Sequence, residues 1–299
     1  RDNSFMHCLE LVLQAVGRPI GYEELMGLSG AAFRVQFRVD TWCPSSPDAH
    51  AGFDCVAPVM AAAGLDHQLY YTSRDSAQEV QRLRRDIVTS IDDGIPVLAN
   101  NIMPPADWGI ITGYRYKGRE WFCRAYAEDA RELDRTARGW PLAVVIISQI
   151  KPIEDMRPAY VESIRRAVEL FEAPLADDYY LGRKAFEHWS RQLMRVIDRS
   201  YLQPNAWTYA SLVDARLAAV HYLRDIAPKL PPHTATLQQA ADLYGREAAL
   251  LDANRTDVPF PDEAPFGIPP ATMRRRQADT LRQAMELEAQ AIELLKKIK

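Results

Sequence analysis

Hydrophobic positions in the first half of the chain recur with two different periods. One is the helical period, which appears first at Leu9, Val12, Leu13 and Val16, and the other is the alternation of strands. The helical spacing predicts a helix that Asn3 or Ser4 caps and Gly17 ends, with Cys8 in its first turn. The same spacing, with glycines as stops, predicts helices over residues 22–26, 54–63 and 76–92.

Short apolar or alternating segments in the same half predict strands. They cover residues 68–71, 96–99, 109–114, 120–126 and 143–148. Lys117-Gly118 predicts a hairpin-like turn between the third and fourth of these. Because the helices come first and no strand-helix-strand alternation follows, we expect an α+β domain built on an antiparallel sheet.

Beyond residue 151 the pattern is helical almost throughout. It predicts helices over residues 155–172, 182–200, 206–228, 234–253 and 272–297. We therefore expect two domains: an α+β domain over residues 1–151, and an all-helical domain over residues 152–299 with a proline-rich connection at 257–270. The final helix is amphipathic and needs a surface to pack on.

Charge and composition narrow the function classes. The 299 residues carry 36 Lys and Arg against 40 Asp and Glu, a net charge of −4, which argues against nucleic acid as a partner. No apolar run reaches the roughly 18 to 20 residues that cross a bilayer, so no membrane is expected. Four cysteines are too few for a disulfide scaffold and favour a cytoplasmic protein. The first residues contain neither an initiator Met nor a signal segment, so we expect an upstream start or a lost leader.

Cys8 is the first candidate for chemistry. The start of a helix carries partial positive charge and unpaired N–H groups, both of which favour a thiolate. Most free cysteines, however, act as small buried hydrophobes. Cys55, at the start of a later predicted helix, is a second candidate for a reactive thiol.

Several segments together resemble a known family. They are Asn3–Gly17, Gly94–Ala99, Asp107–Tyr114, Ala185–Leu193 and Asp214–Leu223. They are similar to the papain-like cysteine peptidases that trim bacteriocin leaders and to the related butirosin biosynthesis protein H-like family, which includes acyltransferases. In such proteins a cysteine opens the first long helix, and a His-aromatic-x-x-x-x-Gly-Tyr strand carries the base. The resemblance implies a papain-like fold, with helices packed on an antiparallel sheet, and amide or acyl chemistry.

Carried over to this chain, the resemblance makes Cys8 the nucleophile and puts Asp107 where the family has its histidine. Arg124 lies near the position of the residue that orients that histidine. A carboxylate is a weak base at neutral pH, and its charge opposes thiolate formation. We therefore expect an Asp107–Arg124 ion pair that keeps the geometry of the site without its chemistry. Asn3, Trp108 and Tyr114 are expected to line the cleft.

Other groups could substitute for the missing base or hold a metal. His50 lies in a long loop, residues 42–52, that could bring an imidazole to the cysteine. His7 is a poor candidate because adjacent helical residues do not face each other. Cys43, His50 and Cys55 are spaced C-x₆-H-x₄-C, which matches no standard zinc spacing. We therefore predict neither a metal nor a cofactor.

Three functional hypotheses follow. The first is a cysteine hydrolase or acyltransferase with Cys8 as nucleophile, which Asp107 would inactivate if it stands in place of the base. The second is a non-catalytic protein that holds a small molecule or peptide in the inherited cleft. The third is a partner-binding module that forms a homodimer through the proline-rich stretch and the last helix.

Overall fold

The computed structural model describes residues 2–72, 76–103, 107–125, 135–195, 198–264 and 267–298. The chain forms two compact units. The first contains Asn3–Tyr22 and Met60–Glu154, and the second contains Glu23–Val59 and Asp155–Lys299. The expected division into residues 1–151 and 152–299 had placed Glu23–Val59 in the first domain, and here the structure differs.

Helices and strands are interspersed up to residue 100, four strands follow one another from there to residue 150, and helices predominate afterwards. The helices are α1 (Ser4–Ala15), α2 (Tyr22–Ser29), α3 (Val56–Ala62), α4 (Ala77–Asp92), α5 (Arg157–Glu172), α6 (Gly182–Leu193), α7 (Leu202–Ile226), α8 (Thr234–Ala253) and α9 (Ala271–Leu295). The strands are β1 (Gln36–Arg38), β2 (Leu65–Tyr71), β3 (Val97–Asn100), β4 (Trp108–Arg115), β5 (Glu120–Ala125), β6 (Arg135–Ala137), β7 (Ala143–Ile150), β8 (Leu175–Ala176) and β9 (Tyr179–Leu181).

The first unit is built on a six-stranded sheet in the order β2-β7-β3-β4-β5-β6. The neighbouring strands pair antiparallel. Helices before and beside such a sheet make the chain α+β, as its order of elements predicted. The turn between β4 and β5 contains Tyr116 and Lys117, both with positive φ, followed by Gly118, which confirms the hairpin there.

Helices α1 and α4 cover opposite faces of this sheet. Side chains alternate along a strand, and Ala99 and Ile111 cluster with Ile87 of α4. Trp108, three residues before Ile111, therefore points to the other face. Its ring packs edge-on against Phe5 of α1, with centroids 4.9 Å apart. The helix that carries Cys8 thus lies against the start of β4.

The second unit combines helices α5 to α9 with a small sheet in the order β1-β9-β8. Gln36 of β1 lies opposite Leu181 of β9. This pairing joins the 23–59 segment to the later half of the chain, and it explains why the predicted domain boundary was wrong for that segment. Phe186, Trp189 and Leu281 belong to the buried core of the unit.

Several predicted boundaries moved. The strands β1, β6, β8 and β9 were not predicted, and α6 ends at Leu193 rather than at residue 200. Helix α2 was expected to stop at Gly27 but continues to Ser29. The reason is that Gly27 serves packing: an added Cβ would lie 2.1 Å from the ring of Tyr222.

The proline-rich stretch contains no helix or strand over its described residues 258–264 and 267–270. None of the helices in the described part of the chain is both long and apolar enough to cross a membrane.

Candidate functional site

The start of α1 is tied down by Asn3. Its side-chain Oδ1 accepts a hydrogen bond from the Met6 backbone N–H at 3.1 Å, which is the N-cap arrangement. Its own backbone N–H donates to the hydroxyl of Tyr22 at 3.0 Å. The sequence predicted this cap, and the structure shows that the Asn3 carboxamide oxygen is engaged by the helix itself.

Cys8 lies one turn deeper than expected. It is the fifth residue of α1, so it stands in the second turn and not the first. The favourable effect of the helix N-terminus on a thiolate falls off within the first turn. The side chain is also buried, with 2% of its surface exposed. The helix start therefore does little to activate this thiol.

Asp107 is held just before β4 by several hydrogen bonds. Its backbone carbonyl accepts from the N–H of Asn101 at 2.8 Å, and its Oδ1 accepts from the N–H of Trp108 at 2.9 Å. The hydroxyl of Ser4 donates to the same Oδ1. Since Ser4 precedes Cys8 by four residues, both lie on the helix face that meets Asp107.

The structure thus brings Cys8 and Asp107 into one site. Burial raises the pKa of the Cys8 thiol far above its usual range, and the negative charge of Asp107 raises it further. Both effects favour the neutral thiol. The site as built contains the Cys8 thiol, the Ser4 hydroxyl and the Asp107 carboxyl group beside the buried indole of Trp108.

Ser4 was missed as a site residue by the sequence analysis, which considered it only as a helix cap. The spacing of four between Ser4 and Cys8 was the available signal. Polar residues at i and i+4 on the face of a helix that meets a sheet lie next to each other.

Arg124 does not form the expected ion pair. In β5 it lies opposite Ile110, and its side chain is exposed. Within the part of the chain that the structure describes, no ion pair or hydrogen bond joins it to Asp107. Ile110 lies three positions further along β4 than Asp107, so the register of the two strands separates the two charges. This prediction was wrong.

Trp108 and Tyr114, the two aromatic residues expected in the cleft, lie toward opposite ends of β4. Trp108 is buried next to α1, in the same site as Cys8. Tyr114 belongs to the other end of β4, where its hydroxyl donates to Oδ1 of Asp92 at 2.9 Å. This hydrogen bond raises the pKa of Tyr114. Tyr114 is therefore attached to the end of α4.

The side chain of His7 has different neighbours from those of Cys8. Its Nδ1 lies 3.6 Å from Oε2 of the buried Glu10, whose other oxygen, Oε1, accepts the N–H of Tyr22 at 3.1 Å. No hydrogen bond links an imidazole to the Cys8 sulfur among the residues described. The second unit contains the other candidate, His50, and places it in a loop with its own internal contacts.

That loop is fastened by the buried guanidinium of Arg34. It donates to four backbone carbonyls, at distances from 2.8 to 3.3 Å, which belong to Pro47, Asp48, Ala51 and Phe53. The His50 backbone N–H donates to Oδ1 of Asp48 at 2.8 Å, and its Nδ1 lies 3.9 Å from Asp54. The loop that was expected to deliver a base is thus tied within the second unit.

Cys43 and Cys55, the two cysteines of the C-x₆-H-x₄-C spacing, have different polar neighbours. Cys43 Sγ lies 3.3 Å from the hydroxyl of Tyr179, whereas Cys55 is fully buried and its sulfur lies 3.8 Å from the carbonyl of Phe53. No group of three or more His, Cys, Asp or Glu side chains suited to a metal occurs in the described ranges. Burial raises the pKa of Cys55 as well, which favours the neutral form of this second candidate thiol.

Comparison with known proteins adds no relative. No protein-family model matches the chain, and no curated protein matches it significantly. The geometry around Cys8 and Asp107 is therefore the basis for any functional conclusion.

Proposed function

We propose that this chain is a catalytically inactive protein of the papain-like cysteine hydrolase type, similar to the bacteriocin-processing peptidases and the butirosin biosynthesis protein H-like family. In this proposal the inherited cleft holds a small molecule or peptide. The support is the order of parts: a cysteine-bearing helix packs on an antiparallel sheet, at the start of the strand where the resemblance expects the base.

The observation that carries the proposal is the pairing of a buried Cys8 thiol with the carboxylate of Asp107. Acyl transfer through sulfur requires a thiolate or a base that removes the proton as the bond forms. Burial and the neighbouring charge both oppose the thiolate. A carboxylate is a much weaker base than an imidazole, so Asp107 is a poor replacement for the histidine at neutral pH.

The active alternative, a hydrolase or acyltransferase with Cys8 as nucleophile, needs a base that contacts the sulfur. The described residues provide no such hydrogen bond, so we place the binding hypothesis first. We also keep the expectation of a cytoplasmic location, because no disulfide joins any two of the four cysteines, all of which the structure describes.

The test of inactivity is the pH dependence of iodoacetamide labelling in the full chain, followed for each cysteine by peptide mass spectrometry. Cys43, which is partly exposed, serves as the reference in the same sample, and Cys8→Ala identifies the Cys8 peptide. We expect Cys8 to label far more slowly than Cys43 and only at high pH. A labelling pKa at Cys8 below about 8.5 would reveal an activated thiolate and refute the proposal.

The binding half is tested by unfolding natively purified protein and identifying the released molecules by mass spectrometry. The matched variant is Asp107→Arg, which reverses the charge in the site. We expect the wild type to release a small molecule or peptide that the variant does not carry. Release of the same molecules from both proteins, or of none from either, would contradict a binding site at Asp107.

A further inference from the structure

The second unit buries a charged side chain at the centre of its helices. Arg216 of α7 is fully buried, and its guanidinium donates in three directions. Nε donates to Oε1 of Glu247 on α8 at 2.8 Å, and Nη2 donates to Oε2 of Glu288 on α9 at 2.6 Å. Nη1 donates to the backbone carbonyl of Ala32 at 3.0 Å. One arginine therefore joins three helices and the segment that follows α2.

The charges in this cluster do not balance. Arg216 supplies one positive charge, whereas Glu247 and Glu288, both with side chains 0% exposed, supply two negative ones if ionised. The remaining titratable group is Tyr244 of α8, whose ring lies 5.8 Å from the guanidinium. The segment after α2 contributes backbone carbonyls, from Ala32 and, at 3.5 Å, from Arg34. With both carboxyls ionised, the cluster would carry one uncompensated negative charge.

The cluster also has fewer hydrogen-bond donors than its carboxylate oxygens can accept from. Each carboxylate uses one oxygen on Arg216. The second oxygens, Oε2 of Glu247 and Oε1 of Glu288, have no hydrogen-bond partner among the described residues, nor has the hydroxyl of Tyr244. An unpaired charge with unsatisfied oxygens is among the most costly groups to bury, and such groups usually become neutral instead.

We propose that Glu247 and Glu288 share one proton in the folded protein at neutral pH, so that this buried carboxyl pair binds a proton which the unfolded chain releases. The proton removes the excess negative charge and supplies a donor to a cluster whose outer carboxyl oxygens lack one. One carboxylate stays ionised beside Arg216. The stability of the second unit is therefore linked to pH through these two side chains.

The pKa values of both glutamates are shifted in the direction that a shared proton requires. Burial raises the pKa of Glu247 to about 8, although Arg216 acts to lower it. Burial also raises the pKa of Glu288. A glutamate in an unfolded chain titrates near 4.3. Because the folded value is the higher one, the proton's contribution to stability is complete below about pH 4 and is lost as the pH rises toward 8.

The experiment uses the full chain and three isosteric variants: Glu247→Gln, Glu288→Gln and, as a matched control, Glu286→Gln. Glu286 lies exposed on the same helix as Glu288. Infrared difference spectra between pH 7 and pH 9.5 report a protonated carboxyl by its C=O stretch. Urea unfolding across pH 5 to 9 reports the proton released on unfolding.

We expect a carboxyl band at pH 7 in the wild type and in Glu286→Gln, and its loss in each of the other two variants. Either substitution leaves a single carboxylate to pair with Arg216, so no shared proton is needed. Between about pH 5 and 8, the equilibrium constant for unfolding of the wild type should rise with each pH unit. This rise should exceed that of Glu247→Gln or Glu288→Gln by a factor of about ten per unit.

Three results would overturn the proposal. The first is the absence of a protonated carboxyl at pH 7 in the wild type. The second is a band that persists in one of the two core variants, which would assign the proton to a single residue. The third is an equal pH slope in wild type and core variants. If a variant does not fold, the wild-type infrared band still decides whether the proton is present.

Discussion

The substitution Asp107→Asn separates the two causes of the raised thiol pKa at Cys8. Asparagine keeps an oxygen where Oδ1 accepts the hydrogen bonds from Ser4 and from the Trp108 backbone, so the local packing is preserved. The negative charge disappears. We expect the pKa of Cys8 to fall but to stay above the ordinary value of about 8.5, because burial raises it more than Asp107 does and remains in place.

The size of this effect follows from the setting of Asp107. A like charge beside a titrating group shifts its pKa by about 1 to 3 units. Asp107 is half-buried, and among the described residues the Ser4 hydroxyl and the Trp108 backbone N–H donate to its carboxylate, so the lower end applies. A shift of about one unit corresponds to about 1.4 kcal/mol, and it raises the thiolate fraction, and with it the labelling rate, about tenfold at any pH below the pKa.

The assay is iodoacetamide labelling of Cys8 in Asp107→Asn and wild type at matched pH values. Asp92→Asn is the control, because it removes the same charge from an exposed carboxylate at the end of α4 and keeps the acceptor for Tyr114. Asp92→Asn should leave the Cys8 rate unchanged. Equal rates in wild type and Asp107→Asn would refute the electrostatic argument, and so would equal acceleration in both variants.

Two further predictions concern the second unit. Gly27→Ala should destabilise it by about 3 kcal/mol or more, since the new methyl group would lie 2.1 Å from the buried ring of Tyr222, whereas Gly21→Ala meets no atom within 4 Å and should change urea unfolding by less than about 0.5 kcal/mol. Equal unfolding midpoints in the two variants would contradict this. Arg34→Lys keeps the charge, but a single ammonium cannot serve four carbonyls. Proteolytic cleavage within residues 47–53 should become roughly tenfold faster for each 1.4 kcal/mol of hydrogen bonding lost, and an unchanged cleavage rate would refute the role of the guanidinium.

Features that depend on neighbouring residues could be predicted from the sequence. Asn3 and Ser76 cap their helices by accepting N–H groups three residues ahead. Gly17, Gly64 and Gly94 follow helices with positive φ, as expected of residues that stop a helix. These signals are local, because a cap or a stop is decided within one turn of the chain.

Features that depend on distant partners could not be predicted in this way. Strand β1 has only three residues, and its partner β9 lies more than a hundred positions later, so no alternation within either segment reveals the pair. Gly27 has the sequence of a helix stop, yet its lack of a side chain is needed by Tyr222. The contact with Tyr222, and not the tendency of glycine to end a helix, therefore determines the role of Gly27.

The site was predictable to the extent that one motif spacing located Asp107 relative to Cys8. Arg124 failed because the register between two strands is set by tertiary pairing. It lies opposite Ile110, three positions further along β4 than Asp107. A family position transferred by counting carries no information about the register between neighbouring strands.

A buried thiol without a base raises the question of why a cysteine remains in the site. Sulfur is small and polarizable, and a protonated cysteine packs as an apolar group. Cys8 lies on α1 between Phe5 and Leu9, both fully buried, so its packing role does not depend on ionisation. Burial of the sulfur and the negative charge of Asp107 both favour the neutral thiol. The packing role of Cys8 and the neighbouring carboxylate are therefore mutually consistent, because neither calls for an ionised sulfur.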